Sequence, residues 1–228
     1  MDTLIQTDTS IFLALNGLHA SVWDTFMYIF SSRWVWVPAY VLTAVMLVRI
    51  AGWRSGILIV LCTAAAVALS DQTCATFIRP YVQRLRPANP DNPISYLVHI
   101  VNGYRGGSYG FPSCHAANTF AFAMTLAMIV RKRSIVITVF LWAVLNCYSR
   151  IYLGVHYPGD LLVGAAIGTI FGFIMSLVYT NLTRNIKFLR PESDLINHDS
   201  GIYSKSSAIM AYGFIATSVL VLIYAVVV

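Results

Sequence analysis

The sequence predicts an all-α polytopic membrane protein, a six-helix transmembrane bundle preceded by short interfacial N-terminal helices. Two observations predict it. Of 228 residues, 58% are hydrophobic and only 11% charged, and mean hydropathy is +0.71, far from the balance of a soluble domain. The apolar residues also fall into runs bounded by charge, most of them near the length of about 20 residues that a helix needs to cross a bilayer.

The runs lie at 34–48, 55–78, 113–130, 135–148, 158–180 and 208–228. The fourth is short for a span and must borrow flanking residues. Ahead of the first, "IFLALNGLHASVWDTFMYIF" places Asn16, His19 and Asp24 among aromatics and is interrupted at Gly17, which predicts interfacial helices rather than a further crossing. Little chain remains for a second domain, so one domain over 1–228 is expected. The acidic start "MDTLIQTDTS" lacks the basic n-region of a secretory signal. Cys62, Cys74, Cys114 and Cys147 form neither a CxxC pair nor a zinc-ligand spacing. On the fifth run Gly164, Gly168 and Gly172 make a small-residue face, which serves packing within the bundle or, alternatively, a homodimer.

Basic residues set the expected orientation. Arg49 and Arg54, then Arg131 to Arg133, then Arg184, Lys187, Arg190 and Lys205 occupy alternate loops, predicted cytoplasmic. The opposite face nevertheless holds Arg79, Arg84, Arg86, Arg105 and Arg150, a surplus that calls for something anionic on that side. With a net charge of +6, this placement points to phosphate or anionic lipid, and no nucleic-acid signature accompanies it.

Three clusters share that face. In "YGFPSCHAANTF", Ser113 stands where a helix N-cap is expected, so the amides that follow it would form an anion-binding helix start; a plain cap beside a solvated His115 is the alternative. In "RPYVQRLRP", Arg79 and Arg86 can grip phosphate oxygens through forked donors, or merely anchor the helix end at the interface. In "SRIYLGVHYPGD", His156 and Asp160 stand at i and i+4 around Pro158, so the carboxylate can orient the imidazole, with Arg150 adding positive charge.

Together the clusters resemble the signature of the type 2 phosphatidic acid phosphatase family: Lys, six residues, Arg-Pro; Pro-Ser-Gly-His; Ser-Arg, five residues, His, three residues, Asp. Here they read Arg79 with Arg86-Pro87, Pro112-Ser113-Cys114-His115, and Ser149-Arg150 with His156 and Asp160. The resemblance covers a catalytic core of about 71–172. It implies that His156 attacks phosphorus, Asp160 orients it and His115 protonates the departing alkoxide. It also implies that Arg79, Arg86, Arg150, Ser113 and the Cys114 amide hold phosphoryl oxygens, with neither metal nor other cofactor. Two positions depart from the pattern. Arg79 stands for the family lysine, keeping the charge on a broader fork. Cys114 stands for the family glycine, a change that a first helical turn tolerates.

Asp71, costly inside a span, either holds an arginine or a water chain behind the site or bonds a neighbouring helix. The long segment 89–110, with Tyr104 and Arg105, is the expected head-group reader or lid, while His99 within it is read as an interfacial residue.

The expected activity is hydrolysis of a lipid phosphate at the non-cytoplasmic face, with the periplasmic side of a bacterial inner membrane as its expected place. Lipid A phosphate, undecaprenyl pyrophosphate, phosphatidylglycerol phosphate and phosphatidic acid are the candidate substrates. A silent relative that binds or moves anionic lipid is the alternative, though retention of His115, His156 and Asp160 argues against it. Vanadate-dependent haloperoxidases share the three-part site but are soluble.

Overall fold

The computed structural model describes residues 2–192 and 201–228. Among these residues the chain forms nine α-helices and no strand: α1 Asp2–Asn16, α2 Ser21–Phe30, α3 Val37–Ala51, α4 Trp53–Gln72, α5 Arg79–Val82, α6 Cys114–Val130, α7 Arg133–Tyr152, α8 Pro158–Asn185 and α9 Gly201–Val227. Five helical segments are long and apolar enough to cross a membrane: Arg33–Ala51, Trp53–Val82, Arg133–Tyr152, Pro158–Asn185 and Gly201–Val227. A sixth apolar helix, α6, has 17 residues, about 25 Å at 1.5 Å per residue and shorter than the hydrocarbon core.

Three of the differences from the sequence expectation bear on the fold. The run at 135–148 does borrow its flanks and becomes the 20-residue α7, leaving α6 as the short helix. Residues Arg33–Trp36 form a tight 3-10 turn before α3 starts at Val37, with Pro38 in its first turn, where a missing N–H is harmless. The second run is not one straight helix. It widens into a π-helical stretch over Thr73–Ile78 before α5, where Pro80 cannot donate to Thr76 and its ring crowds that carbonyl.

The core is built on α6. Ala116, Ala117, Ala121 and Ala123 of this helix are fully buried, and α8 packs against it through the glycine face. A Cβ on Gly164 would lie 2.3 Å from the Ser113 carbonyl oxygen, one on Gly168 2.0 Å from that of Ala117, and one on Gly172 2.7 Å from that of Ala121. The face is therefore taken up by packing within the bundle, the first of its two readings. Gly168→Ala is expected to destabilise the bundle by about 1–3 kcal/mol, because neither backbone can retreat. A lowered Tm in detergent would show it; an unchanged Tm would refute the close approach. On the other side of α6, Trp36, Tyr40, Phe122, Trp142 and Phe214 pack ring to ring, with Trp142 and Phe214 at 5.2 Å, and join α3, α6, α7 and α9.

The N-terminal helices are held firmly against one end of the bundle. Asn16, buried at the end of α1, donates to the carbonyls of Ile151 (3.1 Å) and Tyr152 (2.9 Å) in the last turn of α7 and accepts from the His99 amide (2.8 Å). The break after α1 thus supplies a cap for orphan carbonyls of another helix. His99 also does more than sit at an interface: its Nε2 lies 2.9 Å from Asp24 Oδ1, and its ring stacks on His19 at 3.9 Å.

Candidate active site

Backbone hydrogen bonds stitch the three clusters into one site. The loop after α5 pairs with the segment before α6 through a bridge between Leu85 and Tyr109. The Arg86 amide donates to Ser108 O (3.1 Å) and the Gly110 amide to Arg84 O (2.9 Å). The Ser113 amide donates to Asp160 O (3.0 Å), joining the start of α6 to that of α8, and the Ala88 amide to Gly154 O (2.9 Å). Gly154, with φ +72°, turns the chain from α7 toward α8; a Cβ there would strike Val98 at 2.6 Å. That turn demands glycine.

His156 follows the turn and is buried, 1% exposed. Its Nε2 lies 3.0 Å from Arg86 Nη1. A guanidinium can only donate, so Nε2 accepts and the ring proton is on Nδ1. Nδ1 faces Asp160 Oδ2 at 3.5 Å, an ion-pair distance without hydrogen-bond geometry. Burial, then the cations Arg86, Arg150 and Arg79, hold the His156 pKa well below 6.5, so the imidazole is neutral and Nε2 keeps its lone pair. His115, in the first turn of α6, is within electrostatic reach of His156, Arg150, Arg86 and Arg33.

The arginines converge without matching acids. Arg86 is 8% exposed and also donates to Tyr109 O and Val155 O, each at 3.1 Å. Burial, then Arg150 and Arg79, push its pKa down to about 10, and it remains charged at neutral pH. Arg150, 3% exposed, donates to Ser31 Oγ and to Tyr104 OH (3.0 Å). Arg79 Nη2 donates to Pro112 O and Cys114 Sγ, both at 2.9 Å. The buried Nε atoms of Arg79 and Arg150 have no partner among the described residues. Mutually repelling cations with idle donors form a preorganised anion site.

The remaining sequence-predicted residues take varied places. Ser113 is the N-cap of α6, fully buried, its Oγ accepting from the Ala116 amide at 3.4 Å. Cys114 puts its thiol against Arg79, which gives this side chain a neighbour that its tolerated place in a helical turn did not suggest. Tyr104 hydrogen-bonds Arg150, whereas Arg105 donates to Ala88 O (2.6 Å) and ties the loop to itself. Asp71 accepts from Asn118 Nδ2 on α6 at 2.9 Å, the second of its two readings.

Sequence reasoning placed Arg84 on the catalytic face without giving it a role there, and missed Asp8. Arg84 forks between Asp160 Oδ1 (2.9 Å) and Asp8 Oδ2 (2.7 Å) and lies over the Tyr157 ring at 3.8 Å. Asp8, on α1, also accepts from the Gly159 amide (2.8 Å), while Asp160 Oδ2 accepts from the Tyr157 amide (3.0 Å). Arg84 thus fixes the carboxylate that faces His156. Arg84→Gln is expected to lower kcat about 10- to 100-fold with little change in KM, the scale of a misplaced catalytic group. Partial rescue by Arg84→Lys would mark a positioning charge, and wild-type kcat in both variants would remove Arg84 from the site.

This geometry meets known proteins at residues 55–184, which match the sequence profile described as the PAP2 superfamily. The chain belongs to the PAP2 superfamily. It is 41% identical over 227 residues to a lipid A 4'-phosphatase of Bacteroides thetaiotaomicron, covering 100% of this chain and 99% of that one. It is 34% identical over 179 residues to a lipid A 4'-phosphatase of Porphyromonas gingivalis, covering 78% and 75%. Its fold is similar to the crystal structure of a transmembrane PAP2-type phosphatidylglycerolphosphate phosphatase from Bacillus subtilis, with a TM-score of 0.61 at 21% identity over 81% of this chain and 90% of that one. With its apolar helices, this PAP2 superfamily member is an integral membrane protein. All three signature clusters fall inside the matched span; Asp8 and Arg33 lie outside it.

Proposed function

We propose that the protein removes phosphate from a membrane lipid, with a lipid A phosphate as the preferred substrate, at the periplasmic face of a bacterial inner membrane. The observation that carries the reading is the neutral, buried His156 with Nε2 against Arg86, inside a group of arginines short of acidic partners. Full-length similarity to a lipid A 4'-phosphatase supports the substrate.

In the reaction Nε2 of His156 attacks phosphorus and the P–O bond to the lipid breaks. His115, taking up a proton as the phosphate dianion enters among the cations, gives it to the departing oxygen. Water, deprotonated by His115, then attacks the phosphohistidine; the P–N bond breaks and inorganic phosphate leaves. Asp160, fixed by Arg84, faces the imidazole as it gains charge. Arg79, Arg86, Arg150 and the first amides of α6 hold the phosphoryl oxygens, and in phosphoryl transfer such positioning and charge neutralisation supply most of the catalysis. The catalytic core is 71–172 within a single domain.

The test is phosphate release by purified protein in detergent, with EDTA present, from lipid A phosphate, undecaprenyl pyrophosphate, phosphatidylglycerol phosphate and phosphatidic acid. Release that survives EDTA and favours lipid A phosphate is the expected result. Loss of release in EDTA would overturn the metal-independent mechanism. No release from any of the four by folded protein would replace the reading with a lipid-binding relative.

A further inference from the structure

Two signature residues depart from the family pattern, Arg79 in place of lysine and Cys114 in place of glycine, and in the fold they touch. Arg79 opens α5 at the end of the π-helical stretch. Its side chain reaches the start of α6, where Nη2 donates to Pro112 O and to Cys114 Sγ, both at 2.9 Å. These two acceptors flank Ser113, the N-cap of α6. A terminal guanidinium nitrogen carries two hydrogens, so both are committed and the plane of the fork is set. Nε, buried and without a partner among the described residues, keeps its hydrogen for another acceptor. The sulfur is held in its turn by a hydrogen bond with the fully buried Cys74 thiol of the π-helical stretch.

A lysine and a glycine need no such arrangement. An ammonium is compact and its three donors rotate toward an oxygen, whereas a planar fork on a flexible stem aims its donors only when the plane is fixed. The Pro112 carbonyl alone would leave the fork free to turn about one hydrogen bond; the sulfur stops that rotation. Glycine offers no such second acceptor. We propose that the Cys114 thiol is a positioning residue for Arg79, so that the two departures from the family pattern compensate each other and Nε is aimed at a phosphoryl oxygen. The assignment rests on the lipid-phosphatase reading for the identity of the bound group, but oxyanion binding tests it without turnover.

The test is a double-mutant cycle over Arg79→Lys and Cys114→Gly in the full-length protein in detergent. It is read as kcat and KM on lipid A phosphate and as the Kd for orthovanadate, a phosphate-shaped oxyanion, by calorimetry. Each single variant is expected to lower kcat about tenfold with a smaller change in KM, because a placed donor matters most as charge develops on the phosphoryl oxygens. Independent losses would multiply to about 100-fold. The double variant, which carries the family's own pair, is expected instead to stay within about tenfold of the wild type in kcat and to bind orthovanadate at least as tightly as either single variant. Losses that multiply in both readouts would overturn the compensation. Because glycine also loosens the start of α6, Cys114→Ala serves as the control: it offers no acceptor and should lose as much kcat as glycine, while Cys114→Ser, whose hydroxyl accepts, should recover most of the loss. Wild-type kcat in Cys114→Ala would remove the thiol from this role, and so would a loss that is the same whether arginine or lysine stands at position 79. If wild-type protein binds orthovanadate but hydrolyses no lipid phosphate, the functional reading fails and the binding cycle still decides the pair. Wild-type protein that does not bind orthovanadate would overturn the pair as well.

Discussion

His156→Ala is expected to lower kcat by about 10⁴-fold or more, the usual scale for loss of a covalent nucleophile, in protein that elutes and unfolds like the wild type. The imidazole of His156 holds its lone pair ready beside the arginines. Its Nε2 accepts from Arg86 at 3.0 Å, and substrate phosphate would compete for that same guanidinium and leave Nε2 facing phosphorus. Because His156 is buried, the alanine variant opens a cavity; His156→Asn fills more of it and separates packing from chemistry. Both variants should also fail to retain acid-labile label after a brief mix with ³²P-labelled lipid, whereas wild-type protein carries it on the peptide containing His156. Wild-type turnover in either variant, or label that persists in both, would sink the covalent mechanism.

Legibility in the sequence followed the range of each interaction. Apolar runs reveal spans because burial in lipid is a property of composition over about 20 residues, and the glycine face revealed itself because helical spacing is local. Signature residues were legible as types at fixed separations: Ser113 before the first turn of α6 and Asp160 four positions after His156 follow from helix geometry alone. The Arg84 clamp was not legible. Asp8 and Asp160 are 152 positions apart, and only the folding of α1 against the start of α8 lets one guanidinium join them. His99 was misjudged for the same reason, since its partners Asn16, His19 and Asp24 come from the N-terminal helices, 75 to 83 positions earlier. Asp71 had two readings because its sequence neighbours do not say which helix lies beside it, and Asn118 supplies the bond of the second. The aromatic cluster around Trp142 joins four helices, and no window of sequence contains it.

Arg86→Gln carries the second large effect, on rate and on pH dependence together. Removing one preorganised donor at a charge-developing centre costs about 10²- to 10³-fold in kcat, and here the donor also sets the tautomer of the nucleophile. A phosphorus-attacking nitrogen must be unprotonated, so the rate falls as pH drops through the His156 pKa. Burial and the arginine cations keep that pKa well below 6.5, which places the acid limb of kcat/KM well below pH 6.5 in the wild type. Glutamine removes one depressing cation, so His156 protonates more readily and the limb moves to higher pH. Arg86→Lys retains the charge but loses the fork that spans Tyr109 O, Val155 O and His156; its kcat should fall while its acid limb stays close to that of the wild type. Either residue at this position leaves buried carbonyls short of donors, at about 1–3 kcal/mol for each one stranded, so both variants lose stability and the loss cannot explain a difference between them. The pH profiles therefore isolate charge from geometry. An acid limb that stays put in Arg86→Gln would mean that the rate does not depend on the protonation of His156, and the assignment of that residue as nucleophile would fall with it.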